Sequence, residues 1–375
     1  MSIEYTAPPQ SRNEAILADT INDIEYTDPP QSRIEDLLID LNGKIIGKQD
    51  ALTEEQLAAV NSGINEEKVA KYDDIYAVMN YNAANHNGIY RGKDLTNIYT
   101  VEEIYERVHN GTFEDLYLGD YFTVNITTDL YSTFTGTAFE SGVTYYERSG
   151  ADLNNWIYTP TTDTTYDSNK TYYTMQTITE DVDLMIAAFD YYFRKGWWDL
   201  ETHHIVLIPR KYKLDTKSAI NLIDTTDGGY FNSHMHQTTL PCYAKSFKVA
   251  LNGHLLLHRT RLTTATDADM LSMAGGGTVG ASSGSTWERT ELQLMNEIQV
   301  TGTMIYSSSY LEAGVDYKIF PLFNFVSTVI DIQNTTFWTR TIVSKEKYLA
   351  INNLGMLSTG APSLDFGVCP IIVFG

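Results

Sequence analysis

The sequence predicts an α+β protein in which an extended and helical N-terminal arm precedes a mixed head domain with a small β-rich insertion. Two observations lead to this prediction. A Pro-Pro peptide is duplicated near the N-terminus, and short apolar runs alternate with helix-like patterns from about residue 88 onward. Apolar residues make up 43% of the 375 residues and charged residues 20%, which is typical of a chain that folds around a sizeable core.

The arm, residues 1–50, contains two nearly identical peptides at residues 3–17 and 24–38. Two copies are too few for a solenoid. Each Pro-Pro pair holds the backbone extended and removes two N–H donors, which is typical of a linear docking peptide. Two copies on one partner would multiply weak contacts through effective concentration. The alternative is an unstructured tail that happens to be duplicated. The predicted docking residues are Pro8, Pro9, Gln10, Ser11, Arg12, Pro29, Pro30, Gln31, Ser32 and Arg33.

Residues 51–87 are predicted to form a helical segment for oligomerisation, ending in a loop over 80–87. Helical spacing of apolar residues already begins at Ile34, and a capping box at Thr53 and Gln56 starts the next helix. Such helices have no domain of their own to pack against. We therefore expect them to self-associate as a homotrimer.

The head is predicted to comprise residues 88–126 and 181–375. Its C-terminal run, 366–375, is apolar, and we expect it to be paired inside a sheet because its backbone groups need partners. The other predicted elements of the head are a capped helix over 97–108, strands over 116–124 and 205–208, helices over 245–258 and 290–297, and a Gly/Ser loop over 274–286.

The insertion, residues 127–180, is rich in Thr and Tyr and holds a second repeat, in which 139–146 recurs as 166–173. Turn residues that alternate with Thr-Tyr-Tyr runs indicate hairpins. Aromatic side chains can stack on sugar rings or fill a pocket of a partner, although tyrosine also fits well in strands. The candidate ligand-binding residues are Tyr145, Tyr146, Trp156, Tyr172 and Tyr173. The Trp197-Trp198 pair is expected to be buried.

The composition also limits the partners. A formal net charge of −22 argues against nucleic acid, because the phosphates would be repelled. No apolar run is long enough to insert in a membrane. Residues 1–17 carry Pro-Pro, Glu and Gln where a signal peptide would need an apolar stretch, so synthesis in the cytoplasm is expected.

No catalytic residue, metal or cofactor is predicted. His254 and His258 have the i, i+4 spacing of zinc ligands on a helix, but the Glu of a His-Glu-x-x-His motif is missing. Cys242 and Cys369 are expected to be buried thiols, with a single bridge between them as the alternative. A glycosidase pair of carboxylates stays open, because the chain has 48 acidic residues.

Nine stretches of the predicted head carry a resemblance to known proteins: residues 92–95, 101–104, 118–121, 186–192, 203–209, 224–230, 254–259, 337–340 and 366–370. They resemble an uncharacterised domain family that is common in phages and prophages of gut Firmicutes. This family is similar to the C-type-lectin-like and formylglycine-generating-enzyme-like folds. The chain departs from the pattern at Cys369, which stands where an Arg is usual.

The arm peptides and residues 52–57 resemble the start of phage head-fibre and other virion proteins. The resemblance implies a virion structural protein whose arm binds the major capsid protein or another virion protein. It implies a lectin-like head that binds a glycan or protein of the host surface, as a head fibre or decoration protein. A tail-tip or baseplate receptor-binding protein and an enzyme that acts on polysaccharide are the alternatives.

Overall fold

The computed structural model describes residues 83–150, 153–195, 200–211, 214, 217–267, 281–307, 311–312, 314, 316–325 and 336–375. The predicted docking residues of the arm, the predicted helices before residue 83 and Trp197-Trp198 lie outside these residues. The described residues form an α+β structure, as predicted. None of the helices in this part of the chain has the length and apolarity needed to cross a bilayer.

Three sheets organise the head. The largest has seven strands in the order β3-β2-β4-β5-β14-β9, with β1 paired to β4. Its strands are β1 (Tyr121–Thr133), β2 (Tyr146–Ser149), β3 (Ile157–Pro160), β4 (Tyr173–Phe189), β5 (Ile205–Pro209), β9 (Leu292–Leu294) and β14 (Pro370–Phe374).

The second sheet has five strands in the order β12-β11-β10-β13-β6, and the third is the pair β7-β8. These strands are β6 (Lys217–Ser218), β7 (His258–Thr266), β8 (Ser282–Thr290), β10 (Phe337–Ser344), β11 (Lys347–Ile351), β12 (Leu357–Gly360) and β13 (Phe366–Gly367). The helices are α1 (Ala83–His86), α2 (Val101–His109), α3 (Leu240–Ala250), α4 (Glu297–Thr301) and α5 (Leu322–Phe325).

The C-terminal strand lies inside the largest sheet, which confirms the prediction for the end of the chain. Strand β14 pairs antiparallel with β5 on one side and with β9 on the other. All five of its residues are buried, as are all five of β5. Strands that are covered on both faces gain the most stability from continuous apolar side chains, because all of these side chains are removed from water. The two apolar runs were therefore recognisable in the sequence.

The capped helix predicted over 97–108 is present as α2, which begins four residues later, at Val101, and ends at His109. The Thr100 hydroxyl accepts a hydrogen bond from the Glu103 backbone N–H at 3.2 Å. The Glu103 carboxylate accepts one from the Thr100 N–H at 2.7 Å, which completes a capping box. The helix turns Ile104 and Val108 into the core.

Two predicted helices are wrong in extent or type. The helix predicted over 245–258 is α3, which begins earlier, after a π-helical turn at Met235–Thr239, and ends at Ala250. It ends there because Asn252 and Gly253 both have positive φ. The helix predicted over 290–297 is wrong except at its last residue. Strand β8 ends at Thr290 and β9 follows, since Leu292 and Leu294 are buried against β14, and helix α4 begins only at Glu297.

The strand predicted over 116–124 begins later and runs further, as β1. Phe113, Asp115 and Gly119 have positive φ, and such residues make turns, so the extended backbone starts only at Tyr121. Residues 282–286 of the predicted Gly/Ser loop belong to β8. The predicted loop over 80–87 contains α1 in its described part.

The predicted insertion is continuous with the head. Strand β1 runs through the boundary at 126/127, and β4 runs through the boundary at 180/181. The two strands pair without a break from Tyr121 opposite Met185 to Thr133 opposite Tyr173. The residues between them form the outer end of this long hairpin, which we call the tip (134–172).

Candidate functional site

Three of the five tyrosine and tryptophan side chains predicted to bind a ligand are instead buried, two in the tip and one at the start of β4. Tyr145, Tyr172 and Tyr173 are each at most 5% exposed. The rings of Phe139 and Tyr145 stack at 4.2 Å between centroids, and Phe139 also meets Tyr172 edge-on at 4.8 Å. The aromatic repeat therefore forms a small core of its own, because each copy supplies rings that cover the other.

The two repeat copies meet at equivalent positions. Tyr146, the last residue of the first copy, pairs in register with Tyr173, the last residue of the second. Each copy thus leads into a strand of the same sheet: β2 begins at Tyr146 and β4 at Tyr173. The repeat is explained by this packing and requires no ligand.

The two remaining predicted residues, Tyr146 and Trp156, are partly buried. The guanidinium carbon of Arg148 lies 3.4 Å from the centre of the Trp156 ring. Arg148 is itself held by a hydrogen bond to the backbone oxygen of Gln237 at 3.2 Å. A face of Trp156 is therefore covered by a cation–π contact within the protein.

His254 and His258 do not share a helix. His254 follows the end of α3, stacks on Tyr105 at 3.5 Å between ring centroids and lies 3.1 Å from a Glu102 carboxylate oxygen. His258 begins β7, where burial lowers its pKa to about 3. The i, i+4 spacing was misleading, because it indicates one face only when the backbone is helical.

The neighbouring His203 and His204 are also held by protein groups. A ring nitrogen of His203 lies 3.0 Å from an Asp190 carboxylate oxygen. The buried His204 accepts a hydrogen bond from the Tyr192 backbone N–H at 3.0 Å. Within the described part of the chain, no three His, Cys, Asp or Glu side chains come together as metal ligands would.

A groove of about 540 Å³ lies beside the hairpin, between β1, β3 and helix α3. We call it the β1–α3 groove. Its floor and walls are Asn125, Thr127, Asp129 and Tyr131 from β1, Ile157 and Tyr158 from β3, and Cys242, Lys245, Ser246, Val249 and Ala250 from α3.

One wall of the groove is aromatic. The rings of Tyr131 and Tyr158 are parallel within 4° and 3.8 Å apart. Tyr158 also makes a T-shaped contact with Tyr173, with 5.1 Å between the ring centroids. Burial raises the pKa of the Tyr158 hydroxyl well above its usual value. Because the buried Tyr173 packs against Tyr158, the wall is stiff.

The floor of the groove is a row of polar side chains on the exposed face of β1. Each is matched by a partner on β4: Asn125 donates to Asp181 at 2.7 Å, and Asp129 accepts from Thr177 at 2.7 Å. Thr127 and Thr179 share a hydrogen bond at 3.1 Å. These cross-strand pairs fix the rotamers of the row, so its polar atoms are presented in set positions.

Helix α3 supplies the opposite wall. The Ser246 hydroxyl is hydrogen-bonded to the hydroxyl of Thr128 and to the backbone oxygen of Thr127, both at 2.8 Å. The Lys245 ammonium donates to the backbone oxygen of Trp156. Val249 is 80% exposed, and Ile157 across the groove is 59% exposed. One exposed apolar side chain thus lies on each side of the polar floor.

The groove contains no activated nucleophile. Burial raises the pKa of the Cys242 thiol to about 11, so the thiol stays protonated at neutral pH. Asp129 is the single carboxylate among the lining residues. The lining can form hydrogen bonds and apolar contacts, and it lacks the paired carboxylates of a glycosidase.

Sequence reasoning placed the candidate ligand-binding residues near this groove but not in it. Strand β1 alternates polar and apolar residues, as any half-buried strand does, so Asn125, Thr127 and Asp129 carried no special signal. The helix that closes the groove lies more than 100 residues further along the chain.

Comparison of the chain with family models, curated proteins and solved structures finds no match.

Proposed function

We propose that this chain is a phage virion structural protein, a capsid-attached head fibre or decoration protein whose lectin-like head binds a glycan of the host surface in the β1–α3 groove. The duplicated Pro-Pro-Gln-Ser-Arg peptides attach it to the major capsid protein or another virion protein. The protein is made in the host cytoplasm and assembles on the particle, as a homotrimer.

The composition of the groove carries the adhesion proposal. A sugar ring has apolar C–H faces and a rim of hydroxyl groups. The Tyr131–Tyr158 wall and the exposed Ile157 and Val249 suit the faces, and the polar row on β1 suits the rim. This combination, in an open groove of about 540 Å³, supports recognition of a carbohydrate chain that continues beyond the site.

Binding is favoured over cleavage by the same residues. Hydrolysis of a glycosidic bond needs an acid and a second carboxylate on opposite sides of the bond. The groove offers Asp129 alone, and this carboxylate already accepts a hydrogen bond from Thr177. The Cys242 thiol, the one thiol that lines the groove, is protonated at neutral pH. We therefore assign no catalytic role to the groove.

The lectin-like fold of the head is part of the proposal. The resemblance rests in part on residues 366–370, which lead into the final strand. The central position of β14, between β5 and β9, supports this assignment because a closing strand is expected to be integral to such a head.

The adhesion proposal is tested by glycan-array capture with the full-length protein and two matched variants. Val249→Arg places a long charged side chain across the groove from an 80% exposed position. Ile223→Arg makes the same change at a 68% exposed position that does not line the groove. We expect capture by the wild type and by Ile223→Arg, and its loss in Val249→Arg. Undiminished capture by Val249→Arg, or none by the wild type, would contradict the proposal.

The attachment proposal is tested on particles. Removal of residues 1–40 should abolish incorporation into virions while glycan capture by the purified protein persists. Replacing Arg12 and Arg33 together should weaken incorporation more than either change alone, because two docking peptides act through effective concentration. Electron cryo-microscopy of intact particles locates the protein. Density on the capsid would support a head fibre, whereas density at the tail tip would support a receptor-binding protein of the tail instead.

A further inference from the structure

The backbone of β1 presents an unpaired edge on the side that faces α3. The Tyr121 N–H donates to the Lys93 oxygen at 3.0 Å, and the Tyr121 oxygen accepts from the Leu95 N–H at 2.8 Å, so both groups of Tyr121 point away from β4. Backbone groups in an antiparallel strand alternate sides with a period of two. Those of Asn125 and Asp129 therefore point the same way.

Two residues of this edge each offer a donor and an acceptor to the groove. Between them, the Thr127 oxygen accepts from the Ser246 hydroxyl of α3 at 2.8 Å, so this side of the strand borders the groove. Among the residues that the structure describes, no partner bonds the outward N–H and C=O groups of Asn125 and Asp129. At the usual rise of an antiparallel strand, these two pairs of groups are about 14 Å apart.

A hydroxyl group is the chemical complement of each pair. The outward N–H and C=O groups of one extended residue point in the same direction, so one hydroxyl oxygen can accept from the N–H while its hydrogen is donated to the C=O. An ether oxygen or a carboxylate can accept but has no hydrogen to donate. An acidic sugar would also bring a second carboxylate beside that of Asp129. Each pair thus favours an unsubstituted hydroxyl of a neutral sugar.

The distance between the pairs sets the length of the ligand. A pyranose ring is built from single bonds of about 1.5 Å, so hydroxyl oxygens on its opposite sides are roughly 5.5 Å apart. In an extended chain, two linked rings therefore reach about 11 Å and three reach about 16 Å. Three rings can place one hydroxyl at Asn125 and another at Asp129, whereas a disaccharide can reach only one of them at a time.

An added peptide strand fits the edge less well. Strand addition uses the backbone groups of consecutive outward-facing residues along the edge. Here the Thr127 oxygen, between the two pairs, is already bonded to Ser246. A sugar chain does not need this oxygen, because its middle ring can cross Thr127 without a backbone bond.

On the basis of the proposed glycan binding, we infer that the β1–α3 groove binds extended, linear, neutral oligosaccharides of at least three rings lengthwise along β1. One hydroxyl group is bound by the backbone of Asn125 and another by that of Asp129. The Tyr131–Tyr158 wall contributes to the binding of any sugar ring, and the two backbone positions set the minimum length.

The first test measures affinity against chain length by surface plasmon resonance on the immobilised full-length protein. The probes are β-1,4-linked oligomers of glucose, galactose and mannose, each from one to five rings, because these linear chains are extended. The third ring adds the hydrogen bonds of a second hydroxyl. In a series that binds, we therefore expect affinity to rise roughly tenfold between two and three rings and to change less beyond three.

The outcomes separate this inference from the proposed function. No rise between two and three rings would overturn the inference while glycan binding stands. Capture of only branched or acidic glycans on the array, with none of the three series bound, would overturn it in the same way. No binding of any series, together with no capture on the array, would refute glycan binding itself. Binding of a capped hexathreonine peptide in place of the oligosaccharides would assign the edge to strand addition.

The second test removes one backbone donor. Asp129→Pro deletes the outward N–H, a change that edge strands tolerate because this N–H makes no ladder bond. Asp129→Ala is the matched control, since it removes the same side chain and keeps the N–H. Relative to the alanine variant, the proline variant should lose roughly three- to tenfold in affinity for the three-ring oligomer. For the two-ring oligomer it should lose at most about twofold, because that ligand can still bind at Asn125.

The dependence of this loss on chain length distinguishes a lost hydroxyl position from general damage to the strand. An equal loss for both lengths, or equal affinities of the two folded variants for the three-ring oligomer, would overturn the inference. Circular dichroism shows whether the variants are folded. If the proline variant does not fold, the length series decides.

Discussion

Strands β14 and β10 are both buried in sheets, but they achieve burial in different ways. Every residue of β14 is apolar and buried. Strand β10 is also buried over its first six residues, although Thr339, Arg340 and Thr341 lie in the middle of it. The difference shows that a central strand is specified either by its own side chains or by partners that other segments bring to it.

The partners of β10 surround Arg340. Its guanidinium donates to Asp316 at 2.5 Å and to the Thr260 hydroxyl at 2.9 Å. Thr260 is also hydrogen-bonded to Asp316. Arg340 is 3% exposed and Asp316 1%, so the pair is fully withdrawn from water. A buried charge without a partner is costly, so Asp316 stabilises the buried position of β10 by pairing with Arg340.

The largest effect is expected from breaking this pair. Asp316→Ala leaves the Arg340 charge buried and unpaired, which should lower the free energy of unfolding by about 3–5 kcal/mol. Urea unfolding followed by circular dichroism measures the change. Asp227→Ala, at an exposed position, is the control and should have little effect. The double variant Arg340→Met/Asp316→Leu should recover most of the loss, because it removes both charges. A small loss in Asp316→Ala would mean that β10 is buried for another reason.

The second expected effect is a dependence of the free energy of unfolding on pH, which should arise from a buried titratable side chain and not from the apolar strand β14. Burial raises the pKa of Glu312 to about 7. Between about pH 4.5 and 7 the folded state therefore binds more protons at this group than the unfolded state does, so its contribution to stability falls as pH rises, by up to about 1.4 kcal/mol per unit. Glu312→Gln removes this dependence. The free energy of unfolding of the variant, relative to wild type, should rise from about pH 5 to 8. Glu346→Gln, at an exposed position, should show no such trend. A flat difference for Glu312→Gln would contradict the prediction.

Three buried histidines and one partly buried histidine make stability depend on pH in the opposite direction. Burial lowers the pKa of His204 and His234 to about 4, and of His236 and His258 to about 3. Below about pH 6.5 the unfolded chain binds the protons that these folded rings exclude, so stability falls as the pH drops. Four histidines outweigh one glutamate, and the wild-type protein should lose stability from about pH 6.5 to 4.5.

The smallest effect is expected in the apolar strand. Ile372→Val removes one methylene group from a side chain packed between β5 and β9, and should cost about 1 kcal/mol at any pH between about 5 and 8. Ile223→Val at an exposed position should cost almost nothing. A loss of stability in Ile372→Val that depends strongly on pH would contradict the prediction, because it would remove the distinction between the apolar strand β14 and the polar strand β10.

The sequence predicted the elements whose signal is local. Helix α2 was predicted as a capped helix, and the structure identifies the cap as the Thr100–Glu103 capping box. Strands β5 and β14 were recognisable because continuous apolar runs suit strands buried on both faces. The helix predicted over 290–297 was misassigned because a short segment with three apolar residues fits a helix or a strand equally well until its neighbours are known. The burial of Tyr172 was missed because its ring is covered by Phe139 of the other repeat copy, and the burial of Tyr145 because its ring packs between Phe139 and Phe134 only in the folded tip.

The sequence by itself determined the α+β class, the duplicated arm peptides, the central place of the final strand and the tyrosine repeat of the tip. Only the tertiary structure decided that β10 is buried around an ion pair, that three of the predicted ligand-binding tyrosines are core residues, and that β1 and α3 enclose a groove. Periodicity and capping are properties of neighbours in the chain. The groove and the Arg340 pair depend on residues 24 to more than 100 positions apart, which only the folded backbone brings together.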